Sequence, residues 1–180
     1  QNDHVLAFGG RLSFLSNFYK CSFYTDDFLY SSSEQYFQHK RAIQAGRSDL
    51  AIKILSTDNP AEQKGLGEET GLRDHAWNSY TAMRDGVHAK FKQNKRLMDY
   101  LKSTVGLELR EATHDRYWGC GIRLSDNQVL TKRMMGENKL GQILKCLRDS
   151  DIGLAPNPNP SGRIPVQEPR QKPPPPVRET

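Results

Sequence analysis

Nine of the ten prolines in this 180-residue chain lie beyond residue 150. That bias confines any packed core to about residues 1–150, because 151–180 holds few aliphatic side chains among its prolines and is not expected to bury enough apolar surface to fold. The prolines there include Pro156, Pro158 and Pro160 and the later run Pro173 to Pro176, a spacing that suits extended or polyproline-like backbone. Such a tail is either a plain disordered linker or a ligand for an SH3- or WW-type partner. The remaining 150 residues make one domain of ordinary size, large enough to be stable without disulfide or metal staples.

The cysteines agree with that. Cys21, Cys120 and Cys146 are odd in number and widely separated, so they form neither a disulfide framework nor a CxxC metal knuckle. A reducing, intracellular setting (cytoplasmic or nuclear) is the simplest expectation. His4, His39, His75, His88 and His114 are scattered with no HExxH-type pair, so neither a metal nor another cofactor is expected. No apolar run approaches the roughly 20 residues of a membrane span. Gln1 to Gly10 lacks a basic and apolar leader pattern, although a removed upstream segment stays open. The net charge is +5, from 26 basic and 21 acidic residues. The tail carries four basic and three acidic residues, so +4 stays with the core. This balance is compatible with a phosphate-bearing ligand and equally with a solvated charged surface.

Within 1–150 the pattern is α+β: a single compact, mostly helical domain with a small antiparallel sheet or hairpin. Val5–Phe8 reads as a strand. Cys21–Tyr30 reads as a hairpin turning at Thr25-Asp26-Asp27 between aromatic-rich arms. Ser31-Ser32-Ser33 supplies N-cap candidates for a helix beginning at Glu34. Further helices are expected over Asp49–Leu55 and from Pro60. The longest runs from Asp74 to about Gln93, where Trp77, Tyr80, Met83, Val87 and Phe91 recur on one face. Another helical stretch reaches Lys102, Leu107 and Leu109 alternate in a strand, and the last helix covers Asn138–Arg148. No repeat and no Gly-rich phosphate loop is present, which excludes Rossmann and P-loop enzymes.

Several residues could carry chemistry. With Ser33 as cap, Glu34 sits in the first helical turn, where the dipole and free amides favour a carboxylate; a fixed carboxylate can stabilise an oxocarbenium-like centre or activate water. In Glu111-Ala112-Thr113-His114-Asp115-Arg116-Tyr117-Trp118-Gly119, either Asp115 projects into a cleft and Trp118 stacks on a ring, with Gly119 and Gly121 allowing close backbone approach, or the segment is a capped turn with an anchoring tryptophan. Asn17 and Phe18, in Phe14-Leu15-Ser16-Asn17-Phe18-Tyr19, can bond and stack on a ligand or form a core edge with an Asx turn. Lys64-Gly65-Leu66-Gly67 is either an anion-binding turn or a helix C-cap. Trp77 reads by periodicity as core. Lys40 and Arg41 follow Glu34 by six and seven residues, and Arg41 shares its helix face.

The order LSNFY, SSEQYFQ, KGLG, AWNSYTAM, KFKQN, EATHDRYWG, GENKLGQIL resembles the NADAR family, over about Phe8 to Arg148. The resemblance implies a compact α+β domain with a cleft and N-glycosidase chemistry on NAD- and ADP-ribose-related substrates. Some members act on riboflavin-pathway intermediates, and others remove ADP-ribose from guanine in nucleic acid. Carried onto this chain, the motif acids are Glu34 and Asp115, the aromatic positions are Trp77 and Trp118, and the motif asparagines are Asn17 and Asn138. Met134 stands where the family often has tryptophan, and Arg41 where lysine is frequent. A Schiff-base mechanism would therefore fall to Lys40 or Lys64, since a guanidinium stays protonated. The expected reaction is hydrolysis at C1′ of an ADP-ribose-containing substrate, with ADP-ribosylated guanine in DNA or RNA as the leading partner. Glu34 and Asp115 would flank the reacting carbon, a tryptophan would stack on the base, and Arg11 and Lys64 would hold the diphosphate. A small metabolite as substrate, or an ADP-ribose reader without catalysis, is the alternative.

Overall fold

The computed structural model describes residues 4–25 and 27–153. The proline-rich tail from residue 154 and the hairpin residue Asp26 lie outside the described residues. The elements follow the α+β expectation closely. β1 (Val5–Phe8) is followed by a hairpin of β2 (Phe23–Thr25) and β3 (Phe28–Tyr30). The helices α1 (Ser33–Gln44), α2 (Ser48–Ser56), α3 (Pro60–Glu68), α4 (Ser79–Gln93) and α5 (Lys95–Ser103) come next. Strand β4 (Glu108–Glu111) and helix α6 (Lys139–Asp151) close the domain. Among the described residues no helix is long and apolar enough to cross a membrane.

Local chemistry explains the boundaries. Ser32, one residue earlier than expected, caps α1: its Oγ accepts from the Gln35 amide at 3.1 Å, and Gln35 Oε1 accepts from the Ser31 amide at 2.8 Å. This reciprocal exchange has the logic of a capping box. Asn59 caps α3 through the Ala61 amide, with Pro60 in the first turn, where its missing N–H is no loss. One pairing is new and one expectation is corrected. Beside the antiparallel hairpin, β1 pairs in parallel with β4, Leu6 opposite Leu109; a parallel pairing across a hundred residues leaves no local signature. The long helix is also broken. Asp74–Ala76 is a short 3-10 turn, Trp77 is extended (φ −151°, ψ 177°), and α4 starts only at Ser79. Tyr80, placed by periodicity on the inner face, is 36% exposed.

The main core gathers Phe8 and Leu109 from the β1–β4 pair, Phe37 from α1, Met83 and Val87 from α4, and Leu144 from α6. α1 runs through the middle, packed on α2, α3 and α4. Gly86 lets α4 cross it closely, since a Cβ there would lie 2.4 Å from Tyr36 Cδ1. Because α1 is central, nine of its twelve residues are buried, Glu34, Gln38 and Arg41 among them. Buried polar groups without partners are costly, so what these three meet decides what the fold can do.

Candidate active site

The first turn of α1 delivers Glu34 to a cavity of about 150 Å³ walled by α1, α3, the 3-10 turn, the 16–18 segment and the loop after β4. That volume is below the roughly 300–1,000 Å³ of a pocket for a whole drug-sized ligand, and suits one ring. Glu34 is 5% exposed. Its amide donates to the Asn17 carbonyl at 3.2 Å, and its Oε1 accepts from Gln38 Nε2 at 2.7 Å. Burial pushes the Glu34 pKa up, against the lowering influence of the Gln38 bond and of the Lys64 and Arg41 charges. Gln38 is boxed in by α3, for a Cβ on Gly67 would lie 1.8 Å from Gln38 Oε1. That Oε1 is buried and has no hydrogen-bond partner among the described residues.

A second carboxyl comes from the end of β4. The Glu111 amide donates to Asn138 Oδ1 at 3.0 Å, which sets the strand end and turns the side chain inward. Its Oε2 is buried and has no partner among the described residues. Burial, reinforced by the nearby charges of Glu34 and Asp115, pushes the Glu111 pKa up to about 8, with Lys64 opposing. Such a carboxyl holds its proton at neutral pH. Asp115 supplies the third. Its Oδ1 accepts from the Tyr117 amide at 2.7 Å and the Trp118 amide at 2.8 Å, so the loop that carries it is wound around it. Asp74 ion-pairs with Arg41 and accepts from Trp118 Nε1 at 2.8 Å. Arg41 also lies over the Phe37 ring at 5.2 Å.

The lining holds five carboxyl groups (Glu34, Glu68, Asp74, Glu111, Asp115) against two cations, Arg41 and Lys64. A low-dielectric cavity with that imbalance favours positive charge developing inside it and disfavours an anion. Among the described residues no group of three or more His, Cys, Asp or Glu side chains is arranged to hold a metal ion.

The family model of the NADAR domain matches residues 8–150, nearly all of the described residues. The chain belongs to the NADAR family. Protein irg-1 of Caenorhabditis elegans is 32% identical over 127 residues, covering 67% of this chain and 60% of that protein; the chain thus spans about 60% of the length of this curated relative. The NMR structure of the E. coli protein YbiA matches with a TM-score of 0.67 at 24% identity, over 83% of this chain and 86% of that one, a likeness of fold.

This NADAR domain brings Glu34, Asp115, Asn17, Phe18, Lys64 and Trp118 to the one cavity. Other expected residues stand elsewhere. Lys40 does not line it, and its Nζ lies 5.4 Å over the Tyr36 ring. Arg11 is exposed and donates to Asn59 Oδ1 at 3.2 Å. Trp77 packs on Phe37, ring centres 5.5 Å apart, without lining the cavity. Met134 packs against the Cys120 cluster. Gly119 and Asn138 act from behind. A Cβ on Gly119 would lie 2.2 Å from Thr113 Cγ2, and Asn138, left-handed at φ 53°, also donates Nδ2 to the Leu109 carbonyl at 2.8 Å. Trp118 is 7% exposed and is held edge-on by Phe37 and Tyr117. Lys64-Gly65-Leu66-Gly67 is neither a turn nor a cap but the body of α3. Sequence reasoning passed over Gln38, Asp74 and Glu111. Gln38 is legible as the residue one helical turn after Glu34, and Glu111 as the acid opening the EATHDRYWG segment. Nothing in the sequence singles out Asp74.

Proposed function

We propose that this chain hydrolyses the N-glycosidic bond of an ADP-ribose-type substrate, removing ADP-ribose from modified guanine in nucleic acid and so reversing that modification. Membership of the NADAR family supports N-glycosidase-type chemistry. The observation that carries the reading is the set of three carboxyls, from α1, β4 and the following loop, around a cavity sized for one sugar ring. The ribose enters it. Glu111, protonated at neutral pH, gives its proton to the departing base as the C1′–N bond breaks and the electron pair leaves with the base nitrogen. The positive charge on the ribose is met by the acidic lining. Glu34 and the unpartnered Gln38 Oε1 accept from ribose hydroxyls. Asp115 takes a proton from the water that adds to C1′. The diphosphate stays outside the acidic cavity, with Lys64, exposed at the rim, as its nearest cation.

The deciding experiment incubates the full chain with an oligonucleotide carrying ADP-ribose on guanine and follows products by mass, with Glu34→Gln in parallel. Release of ADP-ribose with the base intact, lost on the order of 10²-fold or more in the variant, is expected. Full activity in a folded Glu34→Gln protein refutes the assignment. Binding without release in the wild type points instead to a reader, and neither binding nor release to a small metabolite.

A further inference from the structure

The KFKQN segment has no part in the chemistry above, yet its side chains grip one stretch of the chain. Gln93 pairs with Tyr24 twice, Oε1 accepting from the amide at 2.8 Å and Nε2 donating to the carbonyl at 2.6 Å. Asn94 Nδ2 donates to the Ser22 carbonyl at 3.2 Å. Lys90 Nζ donates to the Ser16 carbonyl at 2.7 Å. The end of α4 thus holds the segment 16–24 at three places, and Lys90 holds the end nearest the cavity.

Lys90 is costly where it stands. It is 0% exposed, and its ammonium is flanked by the rings of Tyr19 and Phe91 at 5.7 and 5.1 Å. Burial brings its pKa down to about 8, with Cys21 opposing that fall, and burial pushes the Cys21 thiol up. A buried ammonium whose one hydrogen bond among the described residues goes to a carbonyl is a poor means of stabilising a fold, and an apolar side chain of similar volume often does better. What the bond does accomplish is local. Ser16 Oγ accepts from the Phe18 amide at 3.1 Å, and the Ser16 carbonyl also accepts from Tyr19 N at 3.2 Å. Asn17 and Phe18, at the tip of this turn, both line the cavity. The next carbonyl, Asn17 O, accepts from the Glu34 amide, and Asn17 Oδ1 accepts from Ser33 Oγ at 2.9 Å. Two consecutive peptide carbonyls therefore link Lys90 to the start of α1.

We propose that Lys90 is a positioning residue: its buried ammonium holds the Ser16-Asn17-Phe18 turn in register, so that Asn17 and Phe18 form the cavity wall and Glu34 keeps its anchor. The catalytic part of this inference rests on the proposed hydrolase reading, but the structural part does not. The test compares the full-length wild type with Lys90→Met by amide hydrogen exchange and by turnover of the ADP-ribosylated oligonucleotide. Expected are an unfolding temperature near that of the wild type, exchange at the Phe18, Tyr19 and Glu34 amides at least about tenfold faster, and kcat down about tenfold or more with KM changed far less, the signature of a misplaced reacting group. Lys90→Gln, which keeps a shorter donor, should recover part of both. Unchanged exchange at those amides, or unchanged kcat with altered exchange, overturns the proposal. Should Lys90→Met not fold, the wild type alone decides: rapid exchange of the Tyr19 and Glu34 amides overturns it and slow exchange sustains it. Should the wild type release no ADP-ribose, the exchange comparison still stands while the hydrolase reading falls.

Discussion

Gly67→Ala tests whether the Glu34–Gln38 pair is as tightly enclosed as its geometry implies. The new Cβ would fall 1.8 Å from Gln38 Oε1, 2.6 Å from its Cδ and 3.1 Å from its Cβ. Gln38 is 2% exposed, so the clash displaces its amide within a closed space, which loses the 2.7 Å bond to Glu34 and leaves residual strain. Overpacking typically costs about 1–3 kcal/mol, and loss of a hydrogen bond to a charged group about 1.5–3 kcal/mol. Replacing glycine in a helix returns about 0.5–1 kcal/mol. The net expectation is a loss of about 1.5–5.5 kcal/mol, or roughly 3–22 °C in Tm for a domain of this size. The Gln38 bond is also the foremost influence holding the Glu34 pKa down against burial, so the acid limb of the activity profile should move to higher pH. Gly65→Ala is the internal control, since nothing lies within 4 Å of its added Cβ; it should gain about 0.5–1 kcal/mol and leave activity alone. Thermal unfolding and pH–rate profiles of the two variants decide the matter. If Gly67→Ala is as stable and as active as Gly65→Ala, Gln38 is free to move and the enclosure argument is wrong.

Two further outcomes follow from the site. Glu111 has its pKa raised on folding, to about 8, so the stability it contributes is complete below its unfolded value of about 4.3 and is lost as pH rises toward 8, by at most about 1.4 kcal/mol per pH unit. Glu111→Gln should therefore be more stable than the wild type at pH 8, with the gap closing toward pH 4–5, and urea melts that stay parallel across that range would contradict the assignment. Asn138→Ala removes the bonds to the Glu111 amide and the Leu109 carbonyl and puts a Cβ-bearing residue without a local acceptor at φ 53°. A loss of about 2–4 kcal/mol with reduced turnover is expected in denaturant titration and rate assays, and a loss below about 1 kcal/mol would show that the asparagine does not set the end of β4.

Much of the site was readable because its parts are local. The serine run before Glu34 marks a helix start whichever serine caps it, and the i, i+4 relation of Glu34 to Gln38 follows from helical geometry alone. The Asp115 loop was readable for the same reason, since the bonds that hold its carboxylate reach only two and three residues along the chain. Asp74 was not readable. Its partners, Arg41 and Trp118, are 33 and 44 residues away, and the run from Asp74 to Phe91 mimics a single amphipathic helix. Periodicity cannot register the break at Trp77, because Trp77 packs inward from extended backbone as well as it would from a helix. Lys64 was legible as a candidate but not as to setting, since two glycines suggest a turn and the packing of α3 against α1 makes them helix.

By itself the sequence determined the α+β class, the positions of most elements and the family, because these rest on composition, short-range spacing and residue order. Only the tertiary structure decided that β1 joins β4, that α1 is central, and that Glu34, Glu111 and Asp115 share one cavity. The last of these matters most for function. A raised carboxyl pKa arises from lost water and from charges brought near in space, and neither is encoded by the identity of Glu111 or its immediate neighbours. The same side chain on an exposed strand end would be an ordinary acid.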